Sequence, residues 1–131
     1  MNAFEKRAQL KDIKPGAVLY EVFSINGVKA EMGRKRIVTG FPYNNHGIGL
    51  FVKCITIYND WENHSQCSLM DRNVLGRNHY NFHAFFLSKK DAQEYVDQIN
   101  NDNLPPELRE ESRNMHREWI IRRAEDYLWG M

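Results

Sequence analysis

Phe82-His83-Ala84-Phe85-Phe86-Leu87-Ser88-Lys89-Lys90-Asp91-Ala92-Gln93-Glu94-Tyr95-Val96-Asp97-Gln98-Ile99-Asn100 is the stretch that decides the fold. It opens as a dense apolar run rich in aromatics, stops at Ser88, and resumes with Ala92, Tyr95, Val96 and Ile99 at helical spacing, which is the pattern of a strand feeding a helix. Ser88 is the pivot: its hydroxyl can accept from the backbone N–H of Asp91, while the Asp91 carboxylate can reach back to the N–H of Ser88, a capping box with Asp in the usual Glu position. A helix over 89–100 must lay its apolar stripe on something apolar, and the strand-rich residues before it supply the only large surface of that kind.

Upstream, Lys14-Pro15-Gly16 is a turn signal, and the β-branched, aromatic run from Ala17 to Ile25 is a first strand. Asn26-Gly27 suits a two-residue type I′ hairpin, returning through Val28-Lys29-Ala30-Glu31-Met32 with clean alternation. Gly33 breaks the pattern, and Arg34 to Phe41 is either a further strand or a continuation past a bulge. Ile48 to Tyr58 is a long β-rich run, apolar on both faces, which fits a central strand or one that curls into a barrel with helices outside. Ser65 to Asp71 is a weaker strand, residues 72–81 a polar connection, and residues 2–10 a short helix with Phe4, Ala8 and Leu10 turned inward.

Downstream, Asn101-Asp102-Asn103 is a stop, and Pro105-Pro106 followed by Glu107, Glu110 and Glu111 opens a second helix, with proline near its start and acids in its first turns. At about 100° per residue, Leu108, Met115 and Trp119 share one face, whereas Ile120, Ile121, Ala124, Tyr127 and Leu128 spread over a wider arc. Either this helix is wedged between the sheet and another element, or it presents Ile121, Leu128 and Trp129 to a partner. The fold expected is α+β: a strongly curved antiparallel sheet or small SH3-like barrel of five to six strands, covered by a helix at 89–100 and a longer one at 106–128. The 131 residues read as a single domain, with sheet and packed helix over 13–100 and a helical extension over 101–131.

A hydrophobic content of 42% and a charged content of 27% are those of an ordinary globule, so wholesale disorder is excluded. The net charge of +1 excludes both an acidic mimic of nucleic acid and a protein that binds nucleic acid through sheer positive charge. No run approaches the roughly 18 to 20 apolar residues of a membrane span, and Glu5, Lys6 and Arg7 interrupt any signal-peptide core, so the expectation is a cytoplasmic protein without a membrane. Cys54 and Cys67 make no disulfide framework and are expected as thiols.

Three groupings carry candidate chemistry. His64, Cys67, His79 and His83 follow the order His-x2-Cys-x11-His-x3-His, close in spacing to a zinc finger in which His replaces the first Cys; zinc is the one cofactor the sequence suggests, and the alternative is plain loop histidines beside a buried Cys67. Arg34, Lys35 and Arg36, supported by Lys53, form a candidate phosphate-contacting patch, with Phe41, Tyr43 and Tyr58 as stacking faces; basic residues on a strand also serve as edge protection. Trp119, Ile121, Leu128 and Trp129 are the candidate partner-binding residues, with Trp61 a further anchor; for Trp119 alone a place in the core is the favoured alternative. Although nucleophile types are present, none sits in a recognisable catalytic signature, and no Gly-rich loop precedes a helix in the manner of a phosphate site.

Ile13-Lys14-Pro15-Gly16 leading into Val18-Leu19-Tyr20-Glu21-Val22, an Asn-Gly turn, and the late Phe86-Leu87-Ser88-x-x-Asp91-Ala92 junction resemble the small curved-sheet or SH3-like barrel proteins with appended helices that phages and plasmids encode. The resemblance spans residues 13–99 and transfers no functional residue. It implies a compact accessory protein that acts by binding and blocking a host or defence protein, and fold alone does not fix that role. The leading expectation is thus a non-enzymatic binding protein with a protein partner or a second copy on its C-terminal helix. The alternatives are a nucleic-acid-binding domain at the basic patch and a metal-dependent hydrolase or zinc-stabilised domain at the His/Cys set.

Overall fold

The strand-to-helix junction forms where the sequence places it, with the Ser88 half of the expected capping box. Ala84–Phe86 is the last strand, Ser88 is the extended N-cap whose hydroxyl accepts from the Asp91 N–H at 3.1 Å, and the helix α1 runs Lys89–Asn100. Its inward stripe, Ala92, Tyr95, Val96 and Ile99, is buried. The computed structural model describes residues 2–58, 60–78 and 81–129, without the side chains of 119 and 127–129.

Among the described residues six strands form one antiparallel sheet: β1 Val18–Phe23, β2 Glu31–Val38, β3 Tyr43–Asn44, β4 Leu50–Ile57, β5 Glu62–Ser68 and β6 Ala84–Phe86. The order is β3-β4-β2-β1-β6, with β5 also on β4. β5 takes one edge of β4 along nearly its whole length, and β2 and β3 share the other edge, β2 at residues 54–56 and β3 at residues 50–51. The sheet curls into a half-barrel, and a second helix, α2, spans Pro106–Trp129. The expected α+β architecture is therefore what the chain adopts.

Curling gives the sheet two cores. On the convex side α1 packs over β1 and β6, joining Val22, Ala84 and Phe86 to Ala92, Tyr95, Val96 and Ile99, with Phe4 and Phe82 closing the ends. Tyr95 sits between the rings of Phe4 and Phe86, at centroid separations of 5.6 and 5.4 Å, and its hydroxyl donates to the Phe82 carbonyl at 2.8 Å. On the concave side Leu19, Val38, Val52, Cys54, Cys67 and Phe85 form the second core. β1 and β6 feed both, because successive side chains on a strand point to opposite faces.

Local structure departs from the sequence expectations at several points and decides one open alternative; β5, for instance, begins at Glu62 and ends at Ser68, where the sequence pattern places a strand from Ser65 to Asp71. The first hairpin is not a two-residue turn: β1 ends at Phe23, β2 begins at Glu31, and Val22 opposes Met32. The Ser24 hydroxyl accepts from the Gly27 N–H at 3.0 Å and donates to the Lys29 carbonyl at 2.7 Å, closing a wider loop in which Gly27 takes a φ of +75°. β2 runs unbroken through Gly33, so the continuation past a bulge is the correct alternative; the register slips between Tyr20 and Val22. A side chain at Gly33 would meet the Glu21 carboxylate at 3.0 Å, which is why the bulge carries glycine. Finally, residues 2–10 form no α-helix; short 3-10 turns occupy Ala3–Lys6 and Leu10–Asp12, and Phe4 and Ala8 are buried as expected while Leu10 is exposed.

Candidate functional site

On β1 the inward face reads Leu19, Glu21, Phe23, so a carboxylate enters the half-barrel in the middle of an apolar strand, and Glu21 is only 1% exposed. A carboxylate taken so far from water must be matched by charge and hydrogen bonds. Arg36 from β2 reaches its Oε1 at 3.3 Å, and Arg72, from the short turn Met70–Arg72, reaches Oε2 at 2.7 Å. Arg72 also lies 5.7 Å from the Phe23 ring centre and 5.9 Å from that of Phe85. Three chain segments are thereby tied across the open side of the curl.

The polar lining continues onto β4 and β5. Arg36 Nη1 lies 3.7 Å from Cys54 Sγ and 3.5 Å from Thr56 Oγ1, and Ser65 Oγ is 3.7 Å from Cys54 Sγ. Cys54 opposes Ser65 and Val52 opposes Cys67, so the two thiols are diagonal neighbours on one face. The Cys67 thiol, followed by the Ser65 hydroxyl and the Arg36 guanidinium, holds Cys54 below the ordinary thiol range against the effect of burial. Cys67 is pushed up by its hydrogen bond to Cys54 and by burial.

His83 closes the far side of this lining. Its Nδ1 accepts the Ser24 N–H at 3.0 Å, and its ring meets Phe23 edge-on at 5.1 Å. Burial, and then the charge of Arg72, lower its pKa from the ordinary 6.5. Asn73, fully buried with a φ of +57°, donates to the His83 carbonyl at 2.7 Å and fixes the loop that delivers Arg72.

This geometry distributes the residues singled out from the sequence. His64 and Cys67 lie on opposite faces of β5: His64 projects outward beside Glu62 at 3.2 Å, and Cys67 is buried in the concave core. His83 is committed to Ser24, and His79 lies outside the described residues. Among the described residues no group of three or more His, Cys, Asp or Glu is arranged to hold a metal ion. The basic patch is divided as well. Arg36 turns inward onto Glu21, Arg34 lies over the Tyr58 ring at 4.1 Å, and Lys35 and Lys53 are exposed. Alternation along β2 separates Lys35 from its two neighbours, so the run Arg34-Lys35-Arg36 is no single contact surface.

A rim site that periodicity does not reveal lies at the turn between β4 and β5. Tyr58 and Trp61 stack with centroids 4.2 Å apart and planes 7° from parallel, and the Tyr58 N–H donates to the Trp61 carbonyl at 2.9 Å across the turn. With Arg34 and Asp60 these rings line a shallow recess of about 260 Å³.

α2 completes the candidate surfaces. Its first half is anchored: Leu108 and Met115 pack on the convex core, the Ser112 hydroxyl donates to the Asn26 carbonyl at 2.7 Å, and Arg77 pairs with Glu111 at 3.1 Å. From Arg117 to Asp126 every described side chain is exposed, including Ile120 at 50% and Ile121 at 47%. Of the predicted partner-binding set, Ile121 is therefore on open surface, while the side chains of Trp119, Leu128 and Trp129 lie outside the description. Glu21, Arg72 and Asn73 were not singled out by the sequence reading; a lone acid at an inward position of an apolar strand is the signal for the first.

An α+β half-barrel crossed by one helix and extended by another is the class these elements define. Residues 7–99 match the family described as Phage g100-like protein, and the chain belongs to that family. The match takes in the six described strands and α1 up to its penultimate residue, leaving α2 outside. No curated protein and no solved structure matches the chain. Among the described residues no helix is long and apolar enough to cross a membrane.

Proposed function

We propose that this chain is a non-enzymatic binding protein that engages and blocks a host or defence protein through the distal half of α2. The carrying observation is the course of that helix. Leu108, Ser112 and Met115 face the body, whereas Ile120, Ile121 and Ala124 centre on nearly the opposite side at about 100° per residue. The helix has two short apolar faces in succession, and the second meets solvent. An exposed apolar stripe on a helix is the usual ligand for a hydrophobic groove, read at i, i+3 and i+4 spacing. The reading includes a reducing cytoplasm, in which Cys54 and Cys67 stay thiols.

Affinity capture from host lysate with wild-type protein, with a chain ending at Asn114, and with an Ile121→Lys/Leu128→Lys variant tests this, alongside mass in solution. Loss of one captured protein in both altered forms supports the reading. Equal capture by all three, with every form a monomer, overturns it. A wild-type dimer that becomes monomeric in the variant would make the second copy the occupant instead.

A further inference from the structure

We propose that the Tyr58–Trp61 stack at the β4–β5 turn is a docking site for an arginine side chain of a partner protein. The inference does not rest on the role given to α2, which lies on another element. The geometry is that of a preassembled platform. Trp61 covers one face of Tyr58 at 4.2 Å in near-parallel contact, and the Arg34 guanidinium lies 4.1 Å from the same ring centre. Two groups that close cannot share one face of a phenol ring, so the order of the stack is Arg34, Tyr58, Trp61. Trp61 ends it, and its 57% exposure leaves its outer face open. The turn hydrogen bond from the Tyr58 N–H to the Trp61 carbonyl closes the backbone beneath the pair, and the stack itself sets the orientation of the two rings before anything binds.

Chemistry selects the occupant. The face of an indole carries the strongest cation-attracting quadrupole among side chains, and the inner face of this stack already holds a guanidinium from the chain itself. Asp60 lines the recess beside Trp61, and Glu62 follows it on β5. A guanidinium lying flat on Trp61 can direct its N–H groups in its own plane toward the Asp60 carboxylate, a pairing that arginine makes better than lysine. A nucleotide base could also stack on Trp61, but its phosphates would approach Asp60, whereas Arg34, the one basic side chain among the described residues that line the recess, is two aromatic layers from the open face. Charge at the rim therefore favours a basic segment over a nucleic acid.

Titration of the full chain with a hexa-arginine peptide, followed by the Trp61 indole N–H resonance, is the test; that resonance is assigned by its loss in Trp61→Phe. The expected result is a salt-sensitive shift, with affinity weakened about tenfold in Trp61→Ala and to a lesser degree in Asp60→Asn. Both positions are on an exposed turn, and an unchanged circular dichroism spectrum would show that the variants keep the fold. A hexa-glutamate peptide should leave the resonance unmoved. A shift produced by oligothymidylate but not by hexa-arginine overturns the proposal in favour of base stacking. No shift with either, or binding of hexa-arginine that survives Trp61→Ala, overturns it outright.

Discussion

Glu21 and Ile121 are each found where their chemistry is least at ease. Glu21 is a carboxylate 1% exposed in the concave core, and Ile121 is an aliphatic side chain 47% exposed on α2. The difference lies in where each finds its complement. Glu21 finds two guanidiniums within its own chain, at 3.3 and 2.7 Å, so its burial is accounted for by the fold. Ile121 and its neighbours Ile120 and Ala124 are exposed in the fold, with no such complement among the described core clusters, which is the observation the proposed binding role draws on. A residue out of place that is satisfied internally belongs to architecture. One that is not satisfied points to recognition.

The contrast can be broken first at Glu21. Glu21→Ala leaves Arg36 and Arg72 as uncompensated charges in a closed lining, and should cost about 3–5 kcal/mol in urea unfolding; a loss below about 1 kcal/mol would mean that the two guanidiniums find other partners and that the triad does not hold the curl. Tyr95→Phe keeps the ring between Phe4 and Phe86 but strips the Phe82 carbonyl of its donor, with an expected cost of about 1–2 kcal/mol by the same measurement.

A smaller effect is expected at His83. Its folded pKa lies below the 6.5 of an unperturbed imidazole, so between those two values the unfolded chain binds more protons than the folded one. Stability from this group is complete above pH 6.5 and falls as the pH drops through that window. Asn at 83 can place an amide oxygen to accept the Ser24 N–H, so His83→Asn should flatten this part of the profile, measured as the change in urea midpoint between pH 7.5 and pH 5.5. The smallest effect on stability belongs to Ile121→Lys, which should stay within about 0.5 kcal/mol of wild type because the site is exposed. That variant sharpens the comparison, since partner capture should nevertheless be lost; a large loss of stability would show that the stripe packs within the chain.

Much of this was readable in the residues. The change from an apolar aromatic run to helical spacing at Ser88 fixed β6 and α1, because burial, periodicity and cap agree over that stretch. The Asn26–Gly27 turn was located but its type was not. A two-residue hairpin and a wider loop use the same glycine, and the deciding interactions, the Ser24 hydroxyl with Lys29 and His83 with the Ser24 N–H, come from side-chain and distant partners. The zinc-like spacing puts His64 and Cys67 on opposite faces of β5, because an odd separation on a strand sends side chains to opposite faces. For the basic run, strand alternation parts Lys35 from Arg34 and Arg36, a step that grouping the three as one patch leaves out. What it could not supply was the destination of Arg36, which depended on Glu21 arriving from another strand.

The anchoring of α2 has a consequence for how such a chain can diversify. Four of its attachments, Leu108, Glu111, Ser112 and Met115, fall within the first ten residues of the helix, and Ser112 is seated against Gly27 so closely that a Cβ there would come within 2.8 Å of its hydroxyl. Beyond them the described side chains from Arg117 to Asp126 are exposed, and the backbone continues by helical hydrogen bonds that are indifferent to which side chains they carry outward. The tip is in that sense an interchangeable cassette: a different sequence of equal helical propensity could be spliced in after Arg117, in register, and present a new stripe at the same distance and bearing while the half-barrel beneath it stays as it is.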